Sequence, residues 1–133
     1  MTFQEFFDTD YKYRSYERRI GNAQYDYKTL VNKVGSMEAI QLICIVAGAN
    51  GGVTDEKYNL MKELTNDRAG KGSFASLARD MYTPYMIQRV CTTFHKDKEV
   101  INSAIAIVLL FACSKGYLSN EDNKMIDLIY YGK

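Results

Sequence analysis

The stretches IQLICIVAGANGGVTDEKYNLMKEL, residues Ile40 to Leu64, and IAIVLLFACSKGYLSNEDNKMIDLI, residues Ile105 to Ile129, align at an offset of 65 positions. Four of the 25 pairs are identical (Ile40/Ile105, Ala47/Ala112, Gly51/Gly116, Glu56/Glu121), and eleven are apolar on both sides. Each copy has the same succession: a helix apolar nearly all round, a glycine turn, one apolar residue (Val53 or Leu118), a hydroxyl and an acid-led amphipathic helix. Glycine takes the left-handed conformation that stops a helix, and the hydroxyl of Thr54 or Ser119 caps the next one. The apolar residue before the cap can staple the second helix to the core. Helices apolar on every face need covering on every face, so two such hairpins predict a pseudo-symmetric, all-α bundle.

The rest of the chain extends this pattern. Glycines at 21, 35, 51, 52, 70, 72 and 116 cut it into pieces of helical length, and no segment alternates as a strand. Ser36, Thr54, Ser73, Thr83 (followed by Pro84), Asp97 and Ser119 mark six helix starts. A compact bundle of about six to seven helices is expected, with residues 36–133 as the helical domain. Residues 1–35 read as a less regular, tyrosine-rich arm packed on or flanking that core.

Composition limits the chemistry. The 133 residues are 47% apolar and 25% charged, with a net charge of +1, so a core forms readily and no strongly basic field for nucleic acid exists. A folded monomer of this mass exposes roughly 7,000 Å², about a third of its unfolded surface. Cys44, Cys91 and Cys113 have neither metal-knuckle nor redox-motif spacing, and their odd number suits a reducing cytoplasm. Each lies in an apolar context and reads as a small buried hydrophobe. The acidic N-terminus lacks the basic region of a signal peptide, and the longest apolar run, Ala104 to Cys113, is half a membrane span. His95, near the end of its helix, reads as solvated. Cys91 and His95 share a helix face, but no pattern supplies the orienting group and oxyanion site that a nucleophile requires.

The turns ANGGVTDEKYNLMKEL and SKGYLSNEDNKMIDLI resemble the TerB-like family, the all-helical domain of bacterial tellurite-resistance proteins. The family pattern is an apolar helix ending in Ala-Asp-Gly, a small apolar residue, Ser or Thr, and a glutamate two residues beyond the cap. Ala49, Gly51, Val53, Thr54 and Glu56 match it in the first copy, and Gly116, Leu118, Ser119 and Glu121 in the second. The resemblance spans Ser36 to Tyr131, about three-quarters of the chain. It implies a compact helical fold used as an interaction module in stress-response and phage-defence settings, with divalent-metal sites proposed for some members. The chain departs from the pattern at the family's aspartate, which is Asn50 in one copy and Lys115 in the other. An ammonium group beside the turn repels a cation, so Lys115 counts against a metal in the second copy.

Two groups of candidate functional residues result. Asp55, Glu56, Glu121 and Asp122 are the carboxylates after the turns, available to a divalent cation or, more simply, to the helix dipole. Tyr11, Tyr13, Arg14, Tyr16, Arg18 and Arg19 in the arm are residue types that anchor protein interfaces. Asp8, Asp10, Glu17 and Asp26 nearly neutralise that stretch, which disfavours phosphate binding. The reading is therefore a non-catalytic protein-interaction module without resident cofactor, in a stress, defence or toxin-neutralisation context. The alternative is a divalent-cation-binding protein or metal-dependent enzyme built on the four carboxylates.

Overall fold

In a computed structural model describing all 133 residues, helices α3 (Ser36–Gly48) and α7 (Lys98–Ala112) touch in the interior and the other elements surround them. Their sequences explain that position. Leu42 through Ala47 form an unbroken buried run in α3, as do Ile107 through Ala112 in α7, so the C-terminal part of neither helix has a polar face to turn to water. The remaining helices are α1 (Phe3–Thr9), α2 (Tyr16–Lys33), α4 (Asp55–Thr65), α5 (Lys71–Met81), α6 (Pro84–Thr93) and α8 (Asn120–Tyr131). Helix α2 runs against α7 and also meets α3 and α4, α5 and α6 cover α3, and α8 lies on α6 and α7. The accessible surface is 7107 Å², close to the area expected of a single folded chain of this mass.

The chain is all-helical, with no strand, and it has eight α-helices where six to seven were expected. The additional ones come from the N-terminal segment. Residues 1–35 form α1, a short 3₁₀ turn at Tyr11–Tyr13 and the 18-residue α2. Phe7, Tyr11, Ile20, Ala23 and Leu30 from this segment belong to the same continuous core as α3 and α7. Ser15 caps α2 by accepting from the Arg18 amide, a start signal hidden among the aromatic and charged residues around it.

From Ser36 onward the six expected helices are present, four starting at the expected caps. Thr54, Thr83, Asp97 and Ser119 each accept an amide three residues on, and Pro84 occupies the first helical position of α6. Two starts differ. Helix α3 begins after Gly35 and α5 after Gly70, so Ser36 and Ser73 lie inside their helices and cap nothing, and Gly72 lies inside α5 rather than between helices. Near the end of α3, Gly48 permits a close approach to α5. A Cβ there would lie 2.9 Å from the Ala78 carbonyl oxygen, so a side chain would push the helices apart.

Candidate functional site

Both glycine turns lie at one region of the bundle, where the first contacts the helix that follows the second. After α3, Asn50, Gly51 and Gly52 have φ of 58°, 92° and 94°, and after α7 Gly116 has φ of 85°. Asparagine is among the few non-glycine residues that tolerate this region, which accounts for Asn50 at the first left-handed position. The turn directs its amide groups at α8: the Asn50 backbone N–H donates to Glu121 Oε2 at 2.9 Å, and its side-chain Nδ2 donates to Asp122 Oδ1 at 3.1 Å. Tyr82, at the end of α5, donates its hydroxyl to the same Glu121 oxygen at 2.5 Å. That hydrogen bond and the Asn50 amide hold the Glu121 carboxyl below its ordinary range.

Asp122 is the most enclosed of the candidate carboxylates, 2% exposed. Its Oδ2 accepts from Lys115 Nζ at 2.7 Å and from the Ser119 amide at 3.0 Å, while the Ser119 hydroxyl accepts the Asp122 amide at 3.1 Å, closing a capping box. Asn50 and Lys115 therefore have a common local use. Both place donors on Asp122, which an aspartate at either position could not do while ionised.

The repeat alignment sets Lys57 opposite Asp122, and both are buried. Lys57 Nζ donates to the carbonyls of Ala47, Ala49 and Gly52 at 3.2, 2.7 and 2.9 Å. An ammonium group there satisfies carbonyls that the end of α3 leaves without helical partners and faces the negative end of its dipole. Burial and then the neighbouring Lys115 pull the Lys57 ammonium below its ordinary range, against the opposing influence of Asp122 and Glu121. A buried lysine in the first turn of α4 gave no sequence signal, since acids are the usual residues there.

The four carboxylates proposed from sequence do not gather at one point. Asp55 is exposed and bonded to Lys71 Nζ at 2.7 Å, and Glu56 is exposed. Glu121 and Asp122 are committed to the donors just described. No group of three or more His, Cys, Asp or Glu side chains is placed to hold a metal ion.

The arm residues divide. Tyr11 is 5% exposed, packed near Phe7 and Phe6, so it is a core residue rather than an interface anchor. Arg14 bonds Asp10 at 2.8 Å and lies over the Phe6 and Tyr11 rings. Arg19 is half-buried, its Nε without a hydrogen-bond partner and its guanidinium beside the Cys113 thiol. Three candidates remain outward: Tyr13 at 74% exposure, Tyr16 at 46%, and Arg18.

The thiols and the histidine have structural environments. Burial pushes Cys44 up to about 11 and Cys91 up to about 12, so both stay protonated at neutral pH. Burial also raises Cys113, with Arg19 opposing it. His95 has an exposed surface but is not free: its Nδ1 lies 3.1 Å from the Ile129 carbonyl, which ties the end of α6 to the last turn of α8. Because α6 ends at Thr93 and Phe94 caps it, His95 lies beyond the helix and shares no helix face with Cys91, which is fully enclosed. No helix is long and apolar enough to cross a membrane. Comparison with protein-family models, curated proteins and solved structures finds no match to the chain.

Proposed function

We propose that this chain is a non-catalytic, TerB-like interaction module that binds another protein through Tyr13, Tyr16 and Arg18, in a bacterial or phage stress, defence or toxin-neutralisation setting. The observation that carries the reading is the exposure of these three side chains at the entry to α2, an element anchored in the core through Ile20, Ala23 and Leu30. Tyrosine and arginine combine large contact surfaces with hydrogen bonding, and a helix rooted in the core, with the short turn that leads into it, presents them at little ordering cost. The membership in the TerB-like family rests on the two turns. In each, a left-handed glycine precedes an apolar residue packed on or in the core, a hydroxyl cap and a first-turn glutamate. The same correspondence supports reading the bundle as two pseudo-symmetric hairpins.

The test is photo-crosslinking in the native cell with p-benzoylphenylalanine at Tyr13 or Tyr16. A discrete adduct with one protein is expected from both positions and not from Tyr85, which is more exposed than Tyr16 and lies on α6. Adducts of the same kind from all three positions, or none from Tyr13 and Tyr16, overturn the surface.

A further inference from the structure

A cavity of about 400 Å³ opens between α1 with its following 3₁₀ turn, α2 and α7. Phe3, Phe6, Ile105 and Leu109 make its apolar walls, Ala106 leaves space on α7, and Asp26 lines it from α2. The volume lies within the range of sites for small organic molecules, which are largely apolar with a few polar groups that orient the ligand.

The electrostatics of the lining are asymmetric. Arg14 is already paired with Asp10 and stacked on Phe6 and Tyr11. Asp26 is half-buried, forms no salt bridge with any lysine or arginine, and accepts one hydrogen bond, from Ser103 Oγ at 3.1 Å. Burial raises its carboxyl, and the Ser103 hydroxyl only partly opposes this. A half-buried carboxylate without a cation is costly, and an ammonium group entering from the cavity supplies the missing charge.

We propose that this cavity binds a small free amine with an apolar body, the ammonium on Asp26 and the body against Phe3, Phe6, Ile105 and Leu109. The site is separate from the Tyr13, Tyr16 and Arg18 surface and does not depend on it. Titration of the ¹⁵N-labelled full chain with phenethylamine is expected to shift the amides around Asp26, Ser103 and Ala106 selectively. The uncharged 2-phenylethanol should bind at least about tenfold more weakly, and Asp26→Asn should weaken phenethylamine by a similar factor, because a charge-assisted hydrogen bond is lost. Ala106→Leu, which fills the cavity, should abolish the shifts while the remaining spectrum shows an intact fold.

Shifts of equal size with the alcohol, unchanged binding to Asp26→Asn or Ala106→Leu, or no selective shifts at millimolar phenethylamine overturn the proposal. Tighter binding of Nα-acetyl-lysine amide than of phenethylamine assigns the pocket to a protein side chain and likewise overturns it.

Discussion

Lys57 illustrates how one side chain holds two elements. Its ammonium group is buried under the first turn and donates to three carbonyls, two of them at the end of α3. Lys57→Met keeps much of the apolar stem but removes all three donors, so denaturant unfolding should show a loss of about 1–3 kcal/mol. Asp26 predicts the opposite sign. Its folded carboxyl is raised by burial, so the native state holds its proton at higher pH than the unfolded chain does. Its contribution to stability is greatest in acid and declines as pH rises from the ordinary carboxylate range through the raised folded value. Asp26→Asn should therefore gain on the native protein as pH climbs to neutral, by less than about 1 kcal/mol because solvent still reaches the group. Paired unfolding curves in acid and at neutral pH measure this difference, and a constant offset would contradict it. Neither residue was identifiable from sequence: Lys57 occupies a position where helices favour acids, and the setting of Asp26 depends on Ser103, 77 positions away.

At the scale of elements, the legible features were those with local causes. Thr54, Asp97 and Ser119 cap because a short oxygen-bearing side chain reaches an amide three residues on, and all partners lie in the same short stretch. Ser36 and Ser73 have the same chemistry without that geometry, since Gly35 and Gly70 already precede the first helical residues. The distinction is measurable: Ser119→Ala should cost about 1 kcal/mol in thermal or denaturant unfolding. Ser36→Ala and Ser73→Ala, on exposed positions within their helices, should stay within about 0.5 kcal/mol of the parent. The acids after the turns illustrate a second limit. Their types were plain, but which were free depended on Lys71, Lys115, Asn50 and Tyr82, contributed by other elements or by the other turn. Spacing along the chain carries no information about such partners.

On the scale of the whole molecule, the all-helical class was readable because α3 and α7 are too apolar to be anything but central. The helices of the first 35 residues were not. Their aromatic and charged residues obscure the helical period, and what makes them structural is the tertiary packing of α2 along α7. A chain beginning at Ser36 loses the cover that Ile20, Ala23 and Leu30 provide, and it should show no cooperative thermal transition by circular dichroism, whereas the full chain should. An intact transition would make the segment an appendage. The proposed partner contacts depend on this anchoring, because α2 and the 3₁₀ turn before it hold Tyr13, Tyr16 and Arg18 in fixed, exposed positions. Affinity capture from the native cell with the full chain, against a Tyr13→Ala, Tyr16→Ala, Arg18→Ala variant of unchanged melting temperature, tests that claim most directly. One stoichiometric protein partner is expected, depleted at least about tenfold by the variant; equal recovery of that partner by both proteins would rule these residues out as its binding site.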